Sequence, residues 1–494
     1  MDFTYRFTPN NDKANYIPTF QHIGCHSIIH QTGNAFFPKT GISSKRQPIF
    51  IFTDHFCSTM SPLYIFTIIS CSVLAVYGAL IAWYLRAWKS IPFFSPPIPE
   101  SRGQSKDGSN RRTRISVIIP ARNEEQNIVS CLDSLARQTY PKDLYEVIVV
   151  DDHSTDGTAT RVQEFSPSDS ADPIHHIPVH HTPVRHTSVH HPPVAATDPL
   201  TPLPVAAAPL LSIHYISLAE QPGPENKTAH KKWAISTGIG AAVGDLIVTT
   251  DADCTAHPEW LSTIASFYKD KGAKFIAAPV RIAGGRSSFL SVFQTLDFIT
   301  LQGITGAAVF SRFHSMCNGA NLAYERKAFY EVDGFKGIDA IPSGDDMLLM
   351  HKIYLKYPQQ VFFLKHRFAI VTTKPETRWS GFLNQRIRWA SKADSYDDRR
   401  IFWVLLLVYL VNLLFVGLFI AACWNSWWLW VLLLLLTVKT IVEYPFVRSV
   451  ATFFQQQRLM PYFALLQPFH ILYTIVVGWL GKFGSYRWKD RKIS

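Results

Sequence analysis

The sequence predicts an α/β domain on a mostly parallel sheet, flanked by N-terminal and C-terminal transmembrane helices. Three observations predict it. Strand-like runs at ISVIIP (115–120) and YEVIVVDD (145–152) enclose a helical stretch in which Ile128, Cys131, Leu132 and Leu135 recur at three and four. Strand, helix, strand in that order is a crossover unit, which pairs its strands in parallel and leaves loops at their carboxyl ends. The run Pro62–Trp83 carries no charge, and Ile401–Cys423 and Trp427–Val447 are apolar enough to span a bilayer.

Composition agrees with that division. The 494 residues suffice for one large or two ordinary domains with additional segments. Hydrophobic residues reach 47% and charged ones only 17%, which leans toward a membrane protein. A net charge of +11 raises nucleic acid as a partner, but the basic residues are scattered beside apolar runs. No zinc-finger spacing or RNA-binding signature accompanies them, so basic flanks of membrane spans explain the charge and nucleic acid is set aside. Cys25, Cys57, Cys71, Cys131, Cys254, Cys317 and Cys423 form no CxxC pair, which fits a reducing compartment. Cys254 lacks a visible base partner and reads as a small packed residue rather than a nucleophile.

Residues 1–59 are polar and follow no sustained period, which predicts a disordered extension without the layout of a signal peptide. Met60 stands directly before the first apolar run and is an alternative translation start. The first transmembrane helix is expected over 62–85, read as an uncleaved signal anchor. Arg86, Lys89 and a basic linker follow it, so the positive-inside rule places the next domain in the cytoplasm. That makes an integral, multi-pass protein, of the inner membrane if the cell is bacterial.

The soluble domain is expected over 114–395, interrupted by a disordered His/Pro-rich insertion at 166–210. Within it, HHIPV HHTPV RHTSV HHPPV (175–194) offers seven histidines to zinc or copper, although a repeat expanded in a surface loop needs no function. The sheet resumes with LLSIHYISL (210–218), a helix over 230–244, LIVTT leading into Asp251, and one strand over AKFIAAPVRI (273–282). Residues 287–312 form a weakly amphipathic helix expected at the membrane surface. The C-terminal region 401–481 holds two to three spans, the last weakened by Pro468 and His470. Lys439 and Glu443 lie four apart inside the second, as a self-satisfying pair or a functional intramembrane charge. With three spans the basic tail KFGSYRWKDRKIS falls outside, so either one segment lies in the interface or the charge rule fails here.

Four clusters carry chemistry. PARNEE (120–125) sits where a strand ends and a helix begins, an edge whose exposed amides can receive a nucleotide. VVDDHSTDGT (149–158) puts two acids at a strand end, to accept hydrogen bonds from a base or ribose, or to cap a turn. Asp251 and Asp253 stand two apart at the end of a buried strand, so both point into one space. Two such anions raise each other's pKa unless a cation sits between them, and hard oxygen ligands suit Mg²⁺ or Mn²⁺. SGDDMLL (343–349) supplies a carboxylate that can act as general base, and QRIRW (385–389) supplies a cation and a stacking ring.

In this order the chain resembles the family-2 glycosyltransferases, including the processive cellulose, chitin and hyaluronan synthase-like branch. The residues that carry the resemblance are IIPARNEE, VVDDHSTDGT, TTDADC, NGANLAYERKAFYEVDGF (318–335), SGDD and QRIRW. It implies a GT-A-type nucleotide-sugar-binding domain, a UDP- or GDP-sugar donor, a glycan or lipid acceptor and Mg²⁺ or Mn²⁺. It further implies that Pro120, Ala121, Asn123 and Glu124 line the nucleotide, that Asp152 with Asp151 holds base and ribose, and that Lys232 approaches the nucleotide. Asp251 and Asp253 match the DXD pair, with Asp253 the more direct metal ligand. Asp346 matches the catalytic aspartate and Asp345 the acid before it. Gln385, Arg388 and Trp389 match QxxRW, on the acceptor and diphosphate side. His153 departs from the usual glycine of DDGS. The reaction implied is metal-dependent and inverting, with Asp346 as base. Polymer synthesis and single addition remain open, and a nucleotidyltransferase or a non-catalytic nucleotide-sugar-binding membrane protein are the alternatives.

Overall fold

The computed structural model describes residues 62–96, 112–165, 175–176, 211–221, 229–284, 288–313, 316–341, 344–391, 398–484, 486–488 and 491–493. The extension 1–59, Met60 and most of the 166–210 insertion lie outside the described residues. Pro62–Ser494 form one compact unit.

In chain order, α1 (Pro62–Ser90) leads to β1 (Ile115–Ala121), α2 (Ile128–Ala136), β2 (Tyr145–Asp151), α3 (Thr158–Gln163), β3 (His175–His176) and β4 (Ser212–Ser217). Next come α4 (His230–Ala241), β5 (Leu246–Thr249), β6 (Cys254–Thr255), α5 (Trp260–Lys271), β7 (Phe275–Ala277), β8 (Val280–Ile282) and α6 (Phe289–Phe310). The domain closes with β9 (Leu322–Glu325), α7 (Arg326–Glu331), α8 (Asp345–Lys356), β10 (Val361–Phe363), β11 (Val371–Thr373) and α9 (Trp379–Ala390). Helices α10 (Arg399–Ala422), α11 (Trp427–Phe453) and α12 (Phe463–Phe483) follow, then a short hairpin of β12 (Tyr486–Trp488) and β13 (Arg491–Ile493).

The main sheet runs β10-β7-β9-β5-β1-β2-β4-β3. Its centre is parallel, with β1 between β2 and β5, while β9 runs antiparallel between β5 and β7. Both faces are covered, which is why β1 and β2 read as unbroken apolar runs. Ile118, Ile148 and Val150 share one core with Ile235 and Ile239 of α4. Val117, Ile119, Val147 and Val149 share the other with Leu132 of α2 and Trp260 of α5. From the His/Pro insertion, His175 and His176 pair in parallel with His214 and Tyr215 of β4.

Two sequence expectations are corrected here. The run 273–282 is not one strand: Pro279, which has no N–H to donate, separates β7 in the main sheet from β8 in a second sheet of order β6-β11-β8. The helix at 287–312 is not a surface helix either. Sixteen of the 22 residues of α6 are buried, against α1 and α11 and against β8 and β10. Its apolar and small side chains run all round the helix, the composition of a buried segment. A Cβ on Gly303 would collide with Val450 and Phe446 of α11. Gly303→Leu is therefore expected to destabilise the fold by about 1–3 kcal/mol through overpacking, read as a lowered thermal midpoint of the purified protein.

Among the described residues four helices are long and apolar enough to cross a membrane: Phe66–Ser90, Arg399–Ala422, Trp427–Phe453 and Gln457–Phe483. Their outer faces expose large apolar side chains, among them Ile68 and Val76 on α1, Trp403 and Phe419 on α10, Trp430 and Leu434 on α11, and Leu465 and Trp479 on α12. Lys439 and Glu443 pair at 2.7 Å. Gln467 of α12 bonds both, at 2.6 Å each, and the Tyr77 hydroxyl of α1 donates to Glu443. The pair thus ties three helices together with its polar atoms satisfied. Lys365, just after β10, fastens the domain to α1 by donating to the Trp88 carbonyl at 2.6 Å, and burial pushes its pKa down to about 8.

Candidate functional site

The carboxyl ends of β1, β2 and β5 open on a cavity of about 390 Å³, where an open parallel sheet places its ligand. Eleven of the residues singled out above line it: Pro120, Ala121, Glu124, Asp152, Asp251, Asp253, Asp345, Asp346, Gln385, Arg388 and Trp389. They come from segments up to 269 residues apart (389 − 120), and the sheet and the helices on it bring them together.

Three do not line it: Asn123, Asp151 and Lys232. Asn123 takes a left-handed backbone (φ 51°) and turns its side chain to the loop after β2, where Oδ1 accepts from the Thr155 N–H at 2.9 Å. Asp151 is buried and accepts from the Ser154 N–H at 2.8 Å and the Tyr215 hydroxyl at 2.9 Å, so it shapes the turn that aims Asp152. Lys232 is buried on the other side of α4, where its Nζ donates to the carbonyls of Ile338 at 2.6 Å and Ile341 at 2.8 Å. Its neighbour Lys231 lines the cavity instead. One residue along a helix is a turn of about 100°, and that rotation separates the two.

Lys231 Nζ donates to Asp251 Oδ1 at 2.7 Å and lies 3.6 Å from Asp345 Oδ2. Burial works against its charge, but Asp251 and then Asp345 outweigh it and hold the ammonium well above the usual lysine range.

Asp253 is held differently. The Thr373 hydroxyl donates to its Oδ2 at 2.9 Å, which ties it to β11. Burial, then Asp251, then Glu124 push its pKa up. Burial also pushes the adjacent Cys254 thiol up, with Asp253 adding to it, the setting of a packed thiol rather than a nucleophile. The cavity lining holds seven carboxylates (Glu124, Asp152, Asp251, Asp253, Asp345, Asp346, Glu376) against four basic side chains (Arg122, Lys231, Lys374, Arg388). Asp251 and Asp253 are the pair that could hold a divalent cation, and hard carboxylate oxygens of this kind fit Mg²⁺ or Mn²⁺.

Asp345 and Asp346 begin α8 behind Gly344, where the helix N-terminus favours negative charge. Asp346 is fixed at both oxygens: Oδ1 accepts from the Met347 N–H at 2.8 Å and Oδ2 from the Gly319 N–H at 3.1 Å. Each oxygen keeps a further lone pair for an incoming proton. Asp152 Oδ1 lies 3.0 Å from His153 Nδ1 and 3.4 Å from His230 Nδ1. His153 adopts φ 57°, so it supplies the left-handed turn for which glycine is the usual residue, a conformation in which histidine is enriched. Beyond Lys231, the sequence reading missed Arg122, Thr373 and Lys374. Arg122 lay inside a quoted motif; Thr373 at the end of β11 and Lys374 just after it carried no motif signal.

Two family models match the chain: glycosyl transferase family 2 over residues 116–182, and glycosyl transferase family group 2 over 246–480. Over these two stretches the chain is similar to glycosyltransferase family 2 domains. The sheet of this region is mostly parallel. Similar proteins include the probable glycosyltransferase YdaM of Bacillus subtilis (strain 168), 26% identical over 304 residues, 60% of this chain and 58% of YdaM. An N-acetylglucosaminyltransferase of Rhizobium meliloti (strain 1021) is 26% identical over 286 residues, 56% of this chain and 54% of the relative. The chain thus spans little more than half the length of these relatives. Among solved structures, the mannosyltransferase PcManGT from Pyrobaculum calidifontis, in complex with GDP-Man and Mn²⁺, is 20% identical with a TM-score of 0.49, covering 81% of this chain and 98% of that one.

Proposed function

We propose that this chain is a membrane-bound glycosyltransferase that moves a sugar from a nucleoside-diphosphate sugar to a hydroxyl of a glycan or lipid acceptor. The observation that carries it is the meeting, in one cavity, of Asp251 and Asp253 at the end of β5 with Asp346 at the start of α8 and Arg388 on α9. Donor cleavage breaks the bond between sugar C1 and the diphosphate and leaves negative charge on the departing oxygen. Arg388 and Lys231, two of the four basic side chains among the described residues of the cavity, are assigned to that charge. Asp346 takes the proton of the acceptor hydroxyl as it attacks C1 from the opposite face, which inverts the anomeric centre without a covalent enzyme intermediate. Asp253, with Asp251, would hold Mg²⁺ or Mn²⁺, which supplies Lewis-acid neutralisation of the diphosphate when bound. Glu124 and Asp152 accept hydrogen bonds from the nucleoside, and Trp389 offers a ring face to a sugar.

The exposed apolar faces of α1, α10, α11 and α12 are the reason to place these helices in a bilayer, as an integral, multi-pass arrangement. Arg86 and Lys89 at the end of α1 favour a cytoplasmic catalytic domain.

The test is a panel of radiolabelled UDP- and GDP-sugars on membranes carrying the protein, with Mn²⁺ or Mg²⁺, beside Asp253→Ala. Transfer from one donor, lowered by about 10²-fold or more in the variant and abolished by chelation, is the expected result. A wild-type protein that binds none of these donors would overturn the proposal.

A further inference from the structure

A second cavity, of about 730 Å³, lies among α1, α6, α9, α10, α11 and α12. Most of its lining surface is apolar, from side chains such as Leu80, Ile304, Val408 and Val477. It adjoins the catalytic cavity, because Phe298, Asn318, Asp346 and Trp389 line both. The general base proposed above therefore stands where an aqueous, anionic chamber meets an apolar one.

The apolar chamber has polar groups without hydrogen bonds near that junction. Arg386 and Asp297 both line it, with side chains only 2% and 8% exposed. Arg386 Nη2 and Asp297 Oδ2 lie 2.9 Å apart, yet the guanidinium N–H groups are not aligned with the carboxylate. Among the described residues, Asp297 Oδ2 and all three guanidinium nitrogens of Arg386 lack a hydrogen-bond partner. The Trp389 ring stacks 4.2 Å from the guanidinium and holds it in place. Buried donors and acceptors left open this way are costly unless a ligand completes them. Oxygens of a lipid head, the ester carbonyls of a diacylglycerol among them, can accept from Arg386, which leaves the hydroxyl hydrogen for Asp346.

We propose that the acceptor is a hydroxyl-bearing lipid whose hydrocarbon chain occupies this cavity and whose head is oriented by Arg386 and Asp297 toward Asp346. This rests on the transferase reading and narrows its acceptor class. Polar side chains such as Tyr409, Gln467 and Thr474 also line the chamber, but most of its exposed lining surface is apolar, which suits a hydrocarbon chain better than a polysaccharide. In the transfer, the acceptor O–H bond breaks and its proton goes to Asp346. A C1–O bond to the lipid forms as the C1–O bond to the diphosphate breaks, and the electron pair leaves with the nucleoside diphosphate. Arg386 and Asp297 are positioning residues.

The experiment uses the full chain in phosphatidylcholine nanodiscs with a diacylglycerol whose acyl chain carries a diazirine, and maps the crosslinks. Labelling is expected on α6 around Thr305, and excess unlabelled diacylglycerol should lower it about tenfold while labelling of the outward face around Leu434 stays unchanged. Filling the chamber with Ile304→Trp and Val408→Trp should reduce the α6 labelling similarly and leave donor binding intact. Arg386→Gln should raise the KM for the lipid acceptor about tenfold and leave the KM for the donor unchanged. Labelling of α6 that resists competition or filling, or a sugar product that is a water-soluble polymer, would overturn the proposal. So would a phosphate-headed lipid that competes better than diacylglycerol. Loss of donor binding in the wild type would sink the transferase reading instead, and the crosslinks report on the lipid independently of it.

Discussion

Asp346→Asn is expected to lower sugar transfer by about 10²–10⁴-fold while donor binding is retained. The amide has nearly the shape of the carboxylate, and its oxygen can still accept from the Gly319 or Met347 N–H that orients Asp346. What disappears is the basic lone pair that receives the acceptor proton. The kinetic signature is a fall in kcat without a matching rise in the donor KM. Titration of a nucleotide sugar into purified wild type and variant, beside single-turnover transfer, separates the two quantities. Transfer at the wild-type rate in Asp346→Asn would remove Asp346 as the base. A parallel loss of donor binding would make it part of the donor site.

Lys231→Met is the second large effect, and its contrast with Lys232→Met is the sharper experiment. Removing Lys231 leaves Asp251 and Asp345 facing each other without their shared cation. The lysine is 23% exposed, so water screens part of that repulsion. A stability loss of about 2 kcal/mol is expected, with transfer lowered by about 10²-fold or more because a cation near the diphosphate is gone. Lys232→Met instead frees the carbonyls of Ile338 and Ile341 inside the protein. It should cost stability of similar size and leave donor binding in the surviving folded fraction unchanged. Thermal midpoints and donor affinity, measured on both variants, check the pair. Equal loss of donor affinity in both would contradict the geometry of α4.

Much of the domain was legible because its signals are local. Residues that form β1 and β2 are apolar along their whole length, and a strand covered on both faces needs that pattern. Acids at strand ends were legible for a similar reason, since Asp151 and Asp152 close the run YEVIVV and Asp251 and Asp253 come just after LIVTT. The junction at Pro279 was obscured because an apolar run reads the same on either side of a break. The burial of α6 was obscured as well, because weak amphipathicity suits both an interfacial helix and one packed on all sides.

The sequence by itself determined the order of the clusters, the crossover architecture and the presence of helices long and apolar enough for a membrane, because each depends on neighbours along the chain. Tertiary structure alone decided which side chains meet. Lys231 and Lys232 are the same residue type, one step apart, and nothing in their spacing distinguishes them. The packing of α4 on β1 and β2 sets the rotation of the helix, and that rotation sends one ammonium to Asp251 and the other to a loop carbonyl. The junction of the two cavities at Trp389 and Asp346 likewise exists only where α6, α8 and α9 pack together, since the chemistry there belongs to residues far apart in the chain.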